Sequence, residues 1–106
     1  MAVRTHQVFY FLALCEEQSF TRAARRCGIA QPSLTRAIQA LENEFGGRLF
    51  ERKRSIVRLT NLGHFVRPEF ERIDQATKAL IQRVAEFKDH GPQQTLIPTQ
   101  WRDTCA

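Results

Sequence analysis

The sequence predicts a mainly α-helical chain: three short helices, a two-stranded ribbon and one long helix. Three observations carry that expectation. Apolar residues recur at helical spacing in three stretches separated by a cap residue or by glycine, the period breaks between Arg48 and Leu59, and a heptad seam then runs unbroken from Val66 to Phe87. At 106 residues the chain has room for one domain with an appended element. Its 42% hydrophobic content is ordinary for a globular chain and argues against wholesale disorder. No apolar run approaches the roughly 18–20 residues that span a bilayer. The N-terminal stretch lacks a basic start and a small-residue cleavage site, so no signal peptide is expected.

The first helix is expected from Thr5, a candidate N-cap, to about Glu17, with Val8, Phe11, Leu12 and Cys15 on one apolar face. Ser19 offers the N-cap of a second helix, Phe20 to about Cys27, whose inward positions are Phe20, Ala23, Ala24 and Cys27. Gly28 can adopt the left-handed conformation that ends it, with Ile29 as the apolar contact beyond. Gln31-Pro32 opens a third helix, because proline's missing N–H has no intrahelical partner in a first turn. Leu34, Ile38, Leu41 and Phe45 form its stripe, and Gly46-Gly47 stops it. Leu49-Phe50 and Val57-Arg58-Leu59 read as two short strands, with Glu51–Ile56 as strand end and tip. No Asn-Gly or Asp-Gly marks the turn.

Thr60 can cap the last helix, expected to run to about Lys88 before His90-Gly91-Pro92. Its seam is Val66, Phe70, Ile73, Thr77, Leu80, Val84 and Phe87. A helix of this length is roughly 40 Å long at about 1.5 Å per residue, more than a 60-residue head can cover. The first two turns are expected to pack on the head and the rest on a helix of a second chain, so the seam is read as a homodimer contact. Pro68 is expected to kink the helix. The predicted organisation is a head at 1–59, a linker and dimerisation helix at 60–89, and an extended or disordered tail at 90–106.

The net charge is +5, and its placement is informative. Residues 1–60 hold ten Lys/Arg against five Asp/Glu, whereas residues 61–90 hold five of each. A basic half beside a neutral half suggests a polyanionic partner for the first half. Two helices joined by a short glycine-containing turn form a helix-turn-helix, whose second helix enters the major groove of DNA with its N-terminal residues against base edges. The helix at about 31–45 is the reader in that arrangement. Gln31, Pro32, Ser33, Thr35 and Arg36 lie in its first turns, with Gln39 about one turn further on. Arginine can bind guanine through two bonds and glutamine adenine; threonine offers a hydroxyl and a methyl. Thr21 and Arg22, with Arg25 and Arg26, on the second helix, and Arg52, Lys53, Arg54 and Arg58 on the ribbon, form a candidate phosphate rim, and the wing at 52–55 suits an adjacent minor groove. Any one of these arginines alone reads as solvated surface; the cluster does not.

The run SFTRAARRCGIAQPSLTRAIQALENEFGGRLFERKRSIVRLTNLG, Ser19 to Gly63, resembles the winged helix-turn-helix of LysR-type transcriptional regulators. The signatures are Ser19-Phe20, Ala23-Ala24, Gln31-Pro32, Leu34, Arg36, Ile38, Leu41-Glu42, Leu49-Phe50, Arg52 and Leu59-Thr60 followed by Gly63. The resemblance covers residues 3 to about 89. It implies a bacterial, cytoplasmic and nucleoid-associated protein, a dimer built on the linker helices, and promoter binding by paired recognition helices. By position, Gln31, Pro32, Thr35 and Arg36 would meet the major groove, and Arg52 to Ser55 would form the wing. Cys27 stands where leucine is common and Ala30 where a capping serine is often found. The family continues into a two-lobed effector domain of about 200 residues; here only the tail follows, which reads as an excised fragment or a natural truncation, with no small-molecule site of its own.

A second function class is a protein-interaction module that pairs through the heptad helix with a full-length regulator. Catalysis is not expected: Glu16 and Glu17 are adjacent on a helix and should point apart, no Ser/His/Asp or Cys/His set is evident, and a head this small offers little depth for a pocket. Cys15, Cys27 and Cys105 match no zinc spacing, the first two reading as buried inert thiols, and His6, His64 and His90 are scattered. Neither a metal nor a cofactor is expected, and no membrane partner.

Overall fold

The computed structural model describes residues 3–89; the expected tail at 90–106 lies outside the described residues. The order is α1 (Thr5–Glu17), α2 (Phe20–Cys27), α3 (Gln31–Phe45), β1 (Phe50–Lys53), β2 (Ile56–Leu59) and α4 (Asn61–Asp89). The expected mainly α, winged helix-turn-helix architecture with a long following helix is what forms.

Arg4, not Thr5, is the N-cap of α1. The cause is Gln7, which is buried and reaches back so that its Oε1 accepts from the Arg4 N–H at 2.8 Å. A side chain at the third helical position thus satisfies the cap donor and starts the helix one residue early. The inward face of α1 is also broader than expected: Val8, Phe11, Ala13 and Leu14 are buried, whereas Leu12 and Cys15 are half-buried.

In α2 the expected ends form. Ser19 Oγ accepts from the Arg22 N–H at 3.2 Å. At the other end Gly28 has φ +69°, its N–H donates to the Arg25 carbonyl, and the Ile29 N–H donates to the Ala24 carbonyl. That pair of bonds satisfies two carbonyls that the helix itself leaves open. α3 starts from Ala30, which gives no side-chain cap, and stops at Gly46, with φ +70°.

The ribbon is longer than expected. β1 and β2 pair antiparallel as Phe50↔Leu59, Glu51↔Arg58, Arg52↔Val57 and Lys53↔Ile56. Pairing runs through Lys53 and Ile56, so the tip shrinks to Arg54-Ser55. Both hold positive φ, 52° and 69°, as a two-residue hairpin demands. Tertiary anchors explain how the hairpin forms without Asn-Gly. Glu42 Oε2 of α3 accepts from the Leu49 N–H at 2.7 Å, and the Val57 N–H donates to the Gln18 carbonyl at 3.2 Å. Phe50 and Val57 are buried beneath.

Thr60 caps α4, its hydroxyl accepting from the Gly63 N–H at 3.1 Å. α4 continues through Pro68. Gly63 is buried, and a Cβ there would strike the Leu49 carbonyl oxygen and lie 2.6 Å from Leu59 Cδ2. Phe11 sits at the centre of the core, with the rings of Phe50 and Phe70 at 5.1 and 4.9 Å. Phe70 is buried there, and Val66 packs against the same core. One compact unit therefore runs past Leu59 to Asp74, and a second begins at Gln75. Within the second, Leu80, Ile81, Val84 and Phe87 of α4 are exposed.

Candidate nucleic-acid interface

α2 presents Thr21 and Arg22 beside the start of α3, because Gly28 turns the chain within three residues. Thr21 and Gln31, ten residues apart, are hydrogen-bonded: Thr21 Oγ1 donates to Gln31 Oε1 at 3.1 Å. The bond holds the Gln31 carbonyl edge toward α2 and leaves the amide donors for another partner. Thr35 spends its hydroxyl proton on the Gln31 carbonyl, 3.1 Å away. It keeps an acceptor oxygen and a methyl, the group that suits a thymine methyl. Gln31, Pro32, Arg36 and Gln39 are exposed along α3, and Ser33 is half-buried.

The wing brings Arg52 up to these residues. Alternation along the ribbon puts Phe50, Arg52, Val57 and Leu59 on the face toward the head. The Arg52 guanidinium lies over the Phe20 ring, 4.5 Å from its centroid. A cleft of about 250 Å³ is lined by Thr21, Gln31, Arg52 and Ser55, with Phe20 in its wall. Arg52 also lines a second cleft with Thr35, Gln39, Glu42 and Arg48. Lys53 and Arg54 are exposed at the wing tip. Arg48 was not singled out by sequence, because it falls in the break between α3 and the ribbon, where no period assigns a face.

The basic residues of α2 are not equivalent. Arg26 bonds Glu16 Oε2 and Glu17 Oε2, and Arg22 Nη2 donates to the Glu17 carbonyl at 2.7 Å. The adjacent carboxylates of Glu16 and Glu17 therefore converge on one guanidinium instead of pointing apart. They lie at the end of α1, where the chain leaves the helix at Gln18 and α2 crosses close by. The hydrogen bond that Arg26 donates to Glu16, then the Glu16 charge, raise the Arg26 pKa. Arg25 is exposed.

Burial pushes the Cys15 thiol up to about 12, outweighing the Arg67 charge, and burial raises Cys27 as well. Both are half-buried, so neither is as enclosed as the sequence suggested. Among the described residues no group of three His, Cys, Asp or Glu is placed to hold a metal ion, and no helix is long and apolar enough to cross a membrane.

A family model described as "Bacterial regulatory helix-turn-helix protein, lysR family" matches residues 5–64. The chain is 55% identical over 56 residues to the HTH-type transcriptional regulator BenM of Acinetobacter baylyi, covering 53% of this chain and 18% of BenM. It is 51% identical over 91 residues to a probable cat1 operon transcriptional activator of Acinetobacter lwoffii, covering 86% of this chain and 29% of that protein. The chain thus spans less than a third of either relative. Among solved structures it is similar to a BenM DNA-binding domain in complex with catB site 1 DNA, with a TM-score of 0.75 and 36% identity over 81% of this chain and 96% of that one. A CbnR DNA-binding domain in complex with DNA gives 0.71 and 32%, over 79% and 97%. This chain, with its glycine-turned reading helix and arginine-lined wing, belongs to the LysR family of bacterial regulatory helix-turn-helix proteins.

Proposed function

We propose that this chain is the DNA-binding and dimerisation portion of a transcriptional regulator, acting on double-stranded DNA at the nucleoid, in the cytoplasm. The observation that carries this reading is the row of exposed polar residues at the start of α3, with Arg52 of the wing beside it, on a fold shared with two domains solved on DNA. In this reading α3 lies in the major groove. Arg36 makes the bidentate guanine contact, Gln31 offers its amide to an adenine, and Thr35 and Gln39 extend the footprint. Pro32 and Ser33 set the first turn against the backbone, with Thr21 and Arg22 beside them. Arg52, Lys53 and Arg54 approach the minor groove and its phosphates.

The chain acts as a homodimer, two copies pairing along Ile73, Thr77, Leu80, Val84 and Phe87. Val66 and Phe70, the first two residues of the seam, serve the head's own core instead. Selection of bound duplexes from a random pool tests the whole reading. Two related half-sites at fixed spacing are expected, with affinity that falls steeply as salt rises. Equal recovery of all sequences at moderate salt rules it out.

A further inference from the structure

We infer that Phe20 is a positioning residue for DNA recognition: its ring is a platform that holds Arg52 in the gap between the wing and the reading helix. The inference rests on the DNA-binding reading and extends it to a residue whose sequence pattern assigned it only to the core.

The ribbon register makes Arg52 anomalous. Its cross-strand partner Val57 is buried, and its neighbours on that face are Phe50 and Leu59. An apolar side chain at this position would close the ribbon onto α2. A guanidinium there must keep its five N–H groups solvated or bonded, and it does so by lying across an aromatic face that asks for no hydrogen bond. Phe20 supplies that face at 4.5 Å. It is the first residue of α2 and only half-buried, so one side packs on the core while the other is open to the wing.

Stacked on Phe20, Arg52 stays exposed and lines two clefts. One cleft joins it to Thr21 and Gln31, the other to Thr35, Gln39 and Arg48. Without the ring, Arg52 would sample many rotamers, and ordering them on binding would cost part of the contact energy. Phe20 thereby pre-pays that ordering. It also ties the wing, whose turn has two non-glycine residues at positive φ, to the helix that carries Thr21.

The test is a double-substitution cycle in the full chain, using a duplex selected by the wild-type protein and a scrambled control. Phe20→Leu keeps an apolar group on the core and removes the π face; Phe20→Tyr keeps the face. Phe20→Leu is expected to weaken binding to the selected duplex about two- to fivefold, the range of an exposed cation–π contact, while Phe20→Tyr binds like wild type. In an Arg52→Ala background the same Phe20→Leu change should cost nothing further. Thermal unfolding of each variant reports loss of fold separately. A merely structural role lowers binding equally with and without Arg52, and that result overturns the platform while leaving the DNA-binding reading intact. A wild-type chain that does not discriminate the two duplexes overturns both.

Discussion

Two residues of the interface separate the kinds of contact expected there. Arg36 is exposed on α3 and Lys53 on the wing. Arg36→Ala is expected to cost about 1–3 kcal/mol and to relax preference at one base position, as loss of a bidentate guanine contact does. Lys53→Ala should weaken all duplexes alike and reduce the salt slope by about one counterion. Titration of selected and scrambled duplexes at several salt concentrations distinguishes the two. Arg22 and Arg26 were legible as basic but not as engaged, because their partners Glu16 and Glu17 lie across a helix junction that no local pattern encodes. The thiols give a second residue-scale outcome. Only the thiolate reacts, and burial holds Cys15 near 12. Its thiolate fraction is small at pH 8 and rises tenfold per pH unit below that value. Alkylation followed by peptide mass analysis should therefore modify Cys27 well before Cys15.

At the scale of elements, what the sequence made legible depended on whether the information was local. The ends of α2 and α3 were readable because Ser19, Gly28 and Gly46 act within four residues of themselves. The length of the ribbon was not, since it turns on Glu42, seven residues before the backbone N–H it holds. The start of α1 has a local signal, Gln7 three residues after the cap, but a glutamine's identity does not say that it will be buried and turned back onto the Arg4 N–H. The ribbon tip tests this account. Ser55 sits at φ 69° without glycine's freedom, so Ser55→Gly is expected to raise stability by about 0.5–1 kcal/mol in chemical denaturation. If stability falls, the anchors at Glu42 and Gln18 do not dominate the turn. Gly63 marks the opposite limit. A methyl there meets a backbone carbonyl that cannot swing away, and Gly63→Ala is expected to cost about 1–3 kcal/mol. Because Leu49 and Leu59 border the ribbon, the loss should also appear as faster amide exchange at Val57 and Leu59.

For the whole molecule, the long helix divides along its length between core packing and the pairing proposed above, a division that its even heptad spacing concealed. Val66 and Phe70 complete the core around Phe11. Leu80, Val84 and Phe87, at 62%, 43% and 41% exposure, keep the seam going in the second unit, and Ile81 widens it to one side. Four large apolar side chains within eight residues on an otherwise charged helix are what a paired helix buries. A charge in that stripe separates pairing from reading. Val84→Glu should leave the unfolding of the first unit unchanged, since no residue of its core is altered, yet shift the chain to monomer in sedimentation. Binding to a duplex with two half-sites should then fall toward that for a single half-site, because the second head is no longer delivered at high effective concentration. Binding to a single half-site should hold. A variant that stays dimeric at micromolar concentration removes this stripe as the pairing surface. A monomer that binds the two-site duplex as well as wild type removes the need for pairing altogether.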